Sequence, residues 1–105
     1  MTAWKDLERR VCRALGAERA DPRGRQGADD DGASPFSVET KRSKRKVPEG
    51  RWIEQARRQG RADGRPWLLV VAGHNGPRPV AVLDFWVLVE LAQRAGMLDE
   101  VEVGA

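Results

Sequence analysis

A single cysteine, Cys12, and a single histidine, His74, are the first limits on this 105-residue chain. One cysteine excludes an internal disulfide and fits a reducing cytoplasm. With one thiol and one imidazole, no cluster of nitrogen and sulfur ligands can form, so a zinc site of that kind is excluded. Any metal must be held mainly by oxygen, which favours a hard cation, Mg2+ or Mn2+. His74 lies between Gly73 and Asn75-Gly76 and reads as a turn residue, not a catalyst. No apolar run approaches the roughly eighteen residues of a membrane span. The start, MTAWKDLERR, has no apolar signal region, so no secretory leader is expected. The length suits one small domain with one modest core.

Charge is present in quantity and unevenly placed. Residues 1–65 carry seventeen Lys and Arg against eleven acids, a balance of +6, whereas residues 66–105 carry two against five, −3. Fifteen of the nineteen cations are Arg, the side chain whose fork suits phosphate. A GC-rich coding bias could raise the Arg count, but it does not explain the difference between the two parts. A polyanion facing the first two thirds does.

Trp4, Leu7, Val11 and Leu15 recur at helical spacing, with Thr2 as the cap and Gly16 as the stop. Glu8 falls on or beside that apolar stripe, and a carboxylate aimed at a core needs a partner. It is either an edge residue paired with a neighbouring Arg or a member of a site. A short extended piece is expected near residues 17–20. Residues 21–34, DPRGRQGADDDGAS, read as a flexible loop. Phe36 to Lys41 alternates, with Phe36, Val38 and Thr40 on one face and Ser37, Glu39 and Lys41 on the other. A helix is expected from Glu49 to Gln59, carrying Trp52, Ile53 and Ala56 inward, with Gly60 as its end. PWLLVVAG, residues 66–73, is a continuous apolar run that reads as a strand covered on both faces. VAVL, 80–83, follows as a strand. Asp84 then caps a helix over residues 85–95 that Gly96 closes, and residues 97–105 form a tail or short edge strand. This order describes a single α/β or α+β domain over residues 1–105, a small mixed sheet flanked by helices. Phe85, Trp86, Leu88, Val89 and Leu91 are more apolar than one helix face needs, which makes the last helix either a core element or a dimer surface.

Glu39 and Lys41 share one strand face, and Asp29, Asp30 and Asp31 precede them. If that acidic turn folds back, an Asp approaches Glu39, and two close carboxylates raise each other's pKa unless a cation lies between them. A divalent metal offsets the repulsion, with the Thr40 backbone carbonyl as a further oxygen ligand. Lys41 is placed to stabilise charge on an attacked phosphate. Arg23 and Arg25 in the loop, and Arg42, Lys44, Arg45 and Lys46 after the strand, are candidate contacts to a nucleic-acid backbone.

An acid followed by a strand bearing Glu-x-Lys resembles the PD-(D/E)xK nuclease superfamily. WKDLERRV resembles the first helix of its phage and archaeal Holliday-junction resolvase-like branch, FSVETKRSK the catalytic strand, and EQARRQG the helix after it. The resemblance runs from residue 4 to 95. It implies a restriction-endonuclease-like fold and catalytic roles for Glu8, Asp31, Glu39, Lys41 and Gln55. It also implies a metal site of Asp31, Glu39, Glu8 and the Thr40 carbonyl. Relatives carry Pro-Asp, or Asp before an apolar residue. Here the acids read Asp29-Asp30-Asp31-Gly32, so Asp31, eight before Glu39, is the first choice and Asp30 the alternative. The implied activity is Mg2+- or Mn2+-dependent hydrolysis of DNA phosphodiesters, leaving 5′-phosphate and 3′-hydroxyl ends. A homodimer would act on four-way junctions in a bacterial cytoplasm, with a phage gene as one possible origin. Two other functions fit the charge: a small basic DNA-binding protein without catalysis, and a nicking or repair nuclease of the same fold.

Overall fold

A computed structural model of the chain describes residues 3–20, 27–43, 50–73 and 78–99, apart from the side chains at 3, 4 and 43. Thr2, Arg23, Arg25, Lys44, Arg45, Lys46, His74, residues 100–105 and the Trp4 side chain therefore lie outside the described residues. The elements in chain order are α1 (Ala3–Ala14), β1 (Ser37–Ser43), α2 (Gly50–Asp63), β2 (Trp67–Gly73), β3 (Val80–Leu83) and α3 (Phe85–Arg94). The architecture is α+β, with a mixed sheet in the order β1-β2-β3. β1 pairs parallel to β2 through the α2 crossover, and β3 returns antiparallel along the other side of β2.

Strand parity divides the core in two. Leu68, Val70 and Ala72 of β2 join Val38 of β1 and pack under Leu7 and Val11 of α1. Leu69 and Val71, on the opposite face, pack under Ala56 of α2, with Trp52, Ile53, Trp67 and Val82 around them. β2 is thus buried from Leu68 to Ala72, as its unbroken apolar run requires. Each of its four Leu and Val side chains contributes about 1.5–3 kcal/mol by leaving water, so β2 anchors the domain.

The helix ends follow local chemistry. At the end of α1, Gly16 takes a positive φ of 80°, and Ala17 N–H donates to the Cys12 carbonyl (2.9 Å) while Gly16 N–H donates to that of Arg13 (3.1 Å). Gly96 closes α3 with the same pair of bonds. Asp84 caps α3 by accepting from Trp86 N–H (2.9 Å) and Val87 N–H (3.3 Å).

The short extended piece near 17–20 is present as an isolated antiparallel bridge, Arg19 to Asp30. Two other expectations are corrected. Residues 29–31, expected in a flexible loop, are held between that piece and β1: Ala20 N–H donates to the Asp29 carbonyl, and Asp29 N–H to the Val38 carbonyl. Finally, α2 continues through Gly60 to Asp63 and stops before Gly64, whose φ is 71°. Gly60 is a packing residue. A Cβ there would lie 2.9 Å from the Arg65 carbonyl oxygen and 2.9 Å from Trp67 Cβ. Gly→Ala in an open helix gains about 1 kcal/mol, but here the clash should dominate. Gly60→Ala is expected to lose about 1–3 kcal/mol, read as a lower urea midpoint; a higher midpoint would mean that the turn yields.

Candidate functional site

The parity that divides the core also builds a cleft. Glu39 and Lys41 are in register with Leu69 and Val71, so they project toward α2, whereas Val38 and Thr40 project toward α1. β2 covers one edge of β1, and the 29–31 segment lies along the other. There the acidic side chains stand in for a neighbouring strand: Val38 N–H donates to Asp30 Oδ1 (3.2 Å), and Thr40 N–H to Asp29 Oδ2 (2.7 Å). Thr40 Oγ1 adds a second bond to the same Asp29 oxygen at 2.9 Å. Over this edge opens a cleft of about 740 Å³. α1 contributes Glu8, the acidic segment Asp29, β1 contributes Glu39 and Lys41, and α2 contributes Gln55 and Gln59. Thr40 and Arg42 complete the strand side. A residue's N–H and C=O point to the same side of a strand, so the Thr40 carbonyl faces the same edge as Asp29.

The three carboxylates of the cleft are all held above their ordinary range. Burial pushes Glu39 up to about 8, helped by the charge on Asp29 and opposed by Lys41. Burial also raises Asp29, against the two bonds from Thr40 and the charges of Lys41 and Arg19. Glu8 is raised by burial, although Arg19 donates to it from Nε at 2.5 Å. Removing negative charge from water in one place is unfavourable unless a cation compensates it. Cys12 shares this neighbourhood. Burial and the nearby acids push its thiol up to about 12, and its Sγ donates to the Asp29 carbonyl at 3.7 Å, so it is a neutral packing residue.

Of the residues singled out in the sequence, Glu8, Glu39, Thr40, Lys41, Arg42 and Gln55 meet at this cleft. Asp31 and Asp30 do not line it. Asp31 is exposed, and its carboxylate turns back to accept from Ala33 N–H at 3.0 Å. Asp30 has no exposed side-chain surface and is ion-paired with Arg65 at 2.7 Å. It also accepts from Val38 N–H and Gly32 N–H. Burial alone would raise its pKa, but the Arg65 bond with the two backbone donors outweighs it and holds the carboxyl below its ordinary value. The pKa directions therefore separate a structural acid, Asp30, from a cleft acid, Asp29. Asp29 and Asp30 both accept from the β1 edge while Asp31 turns away from it, an arrangement set by the backbone bonds of Asp29 with Ala20 and Val38.

Arg19, Gln59 and Arg65 were not singled out in the sequence. The inward Glu8 signalled the need for an Arg partner without naming it, and nothing local distinguished Gln59 or Arg65. Arg65 clamps the segment before β1, donating to the Ser34 carbonyl (2.9 Å) and the Phe36 carbonyl (2.8 Å) as well as to Asp30 and Asp63. Among the described residues, no three Asp, Glu, His or Cys side chains are spaced as a ready chelate. Glu8 is engaged by Arg19 and Asp29 by Thr40. Comparison of the chain with protein-family models, with curated proteins and with solved structures gives no match.

Proposed function

We propose that the chain is a metal-dependent DNA endonuclease, with branched DNA, above all the four-way junction, as its substrate. The observation that carries this reading is the meeting of Asp29, Glu39, Lys41 and Gln55 in one cleft, with both carboxylates raised by burial and Glu39 raised further by the charge on Asp29. The donor set is oxygen throughout and fits a hard divalent cation: Asp29, Glu39 and the Thr40 carbonyl would hold it. When bound, Mg2+ or Mn2+ would supply Lewis-acid polarisation of a phosphoryl oxygen and a more acidic water.

The chain's own residues would do the rest. Lys41, two residues beyond Glu39 on the same face, places positive charge where an attacked phosphate gains negative charge. Gln55 offers an amide to orient the group opposite. Arg42, exposed at the mouth, would draw in the DNA backbone. Glu8, fixed by Arg19, would act at the rim of the metal site and not as a direct ligand. Two symmetric cuts need two clefts, so the active unit would hold two copies of the chain.

The absence of a ready three-acid chelate among the described residues favours a second reading, a basic DNA-binding protein without catalysis. It leaves the buried Glu39, set in the cleft beside the partly buried Asp29, without a role. One experiment separates the two. End-labelled four-way junction, duplex and single-stranded DNA are incubated with the protein in Mg2+, Mn2+ or a chelator. Nicking of the junction in either metal and none in chelator is expected. DNA that is bound but uncut in both metals would favour the binding protein, and cleavage confined to duplex or single strands would move the substrate to repair-type DNA.

A further inference from the structure

We propose that α3 and an apolar groove beneath α1 form a self-complementary contact through which two copies of the chain pair. α3 is capped and closed, yet none of its residues is buried. Phe85 is 63% exposed, Trp86 48% and Leu88 49%, and Leu91 and Met97 add to the same exposed set. Monomers rarely leave so large an apolar patch in water. With Leu98, these side chains expose on the order of 700 Å² of largely apolar surface, close to what one partner of a standard interface buries.

The chain also carries a receptor for them. A groove of about 470 Å³ lies between α1 and the β2–β3 side of the sheet, lined by Leu7, Val11, Leu15, Leu68, Val70 and Val80 among others. That volume is in the range that takes a drug-sized apolar ligand, which leaves room for the edge-to-face pair of Phe85 and Trp86, whose ring centroids are 5.2 Å apart. A projection and a groove on one chain can engage twice about a two-fold axis, the projection of each copy in the groove of the other.

Charge argues for a second copy over other occupants. The charged residues of α3 are Glu90 and Arg94, which pair with each other at 2.6 Å. A second copy therefore brings a helix of no net charge to a groove whose lining holds one charged side chain, Arg10. A helix lying on an anionic membrane would need a cationic polar face, and a nucleic-acid contact would need cations to spare; α3 has neither. The groove lies toward β2 and β3 and the cleft along the free edge of β1, with Leu7 of α1 in the wall of both. The contact serves the two-copy unit proposed above but rests on different residues. A dimer that cuts no DNA leaves it standing, and a monomer that cuts overturns it together with the two-copy unit while the nuclease reading stands.

Sedimentation velocity on the full chain tests it. The wild type is expected at twice 11.7 kDa. Trp86→Glu removes the projection and Ala14→Glu, at the groove wall, blocks the receptor. Both positions are exposed, so each variant should sediment as a monomer with unchanged circular dichroism and urea midpoint. A one-to-one mixture of the two should recover a heterodimer, because one projection and one groove remain intact. A wild-type monomer at its highest soluble concentration would overturn the pairing. So would a Trp86→Glu dimer, or a monomer that binds phosphatidylglycerol vesicles through α3. Variants that stay monomeric when mixed would overturn the reciprocal geometry.

Discussion

Asp29→Asn and Glu39→Gln are each expected to lower the rate of junction cleavage at least about a thousandfold, while DNA affinity changes little. Metal-supplied stabilisation of a phosphoryl transition state is worth several kcal/mol, and each 1.4 kcal/mol or so is a factor of ten. Affinity comes mainly from cations on the DNA backbone, which neither substitution touches. Both changes keep shape and remove charge from a place where burial already disfavours it. Folding should therefore be unharmed or slightly improved, provided the amide at 29 still accepts from Thr40 N–H and Oγ1–H. The measurement is single-turnover cleavage beside filter binding in chelator. Cleavage within tenfold of wild type in either variant would remove that residue from the metal site. Equal losses of binding and cleavage would mean that the carboxylates hold DNA-binding structure instead.

The neighbouring acid should behave in the opposite way. Asp30→Asn leaves Arg65 buried against a neutral group, and Arg65→Met leaves Asp30 charged, fully buried and short of its strongest partner. Breaking a buried pair from one side costs about 3–5 kcal/mol, a large part of the stability of a domain this size. Arg65 also holds the Ser34 and Phe36 carbonyls, so its loss should free the approach to β1 as well. Urea unfolding of both variants is the measurement, with specific activity taken on the folded fraction. The acid limb supplies the sign. Asp30 has a folded pKa below its unfolded one, so its contribution is complete above the unfolded value and is lost as pH falls through the folded value. The stability gap between wild type and Asp30→Asn should narrow there. A gap that stays constant into acid would mean that the Asp30 charge is not what stabilises the fold. If Asp30→Asn melts like wild type and fails to cleave, the assignments of Asp29 and Asp30 are reversed.

What was legible in the sequence follows physical range. The unbroken run from Leu68 to Ala72 announced a strand covered on two faces, because no amphipathic element could hide it otherwise. The alternation around Val38, Glu39, Thr40 and Lys41 placed carboxylate and amine together, because side-chain parity along a strand is local. Glu8 was legible as an inward acid for the same reason: its spacing from Leu7 and Val11 is fixed by the helix. The choice among Asp29, Asp30 and Asp31 was not, since it depends on bonds to Ala20 and Val38, nine residues away on either side. Gly60 read as a stop because glycine ends helices, but close packing against Arg65 and Trp67 gives it another use. The composition of α3 gave its apolar character, and its lack of cover within the chain appeared only once the sheet was assembled.

The central claim is that the cleft along β1 holds a divalent cation on Asp29 and Glu39. Titration of Mn2+ into the metal-free protein, followed by electron paramagnetic resonance of the free ion, tests it without DNA. The account predicts saturable binding by the wild type, competed by Mg2+, lost in Asp29→Asn and in Glu39→Gln, and kept in Asp31→Asn. Wild-type protein that leaves the free-ion signal unchanged, or binding that survives both cleft substitutions, would contradict it.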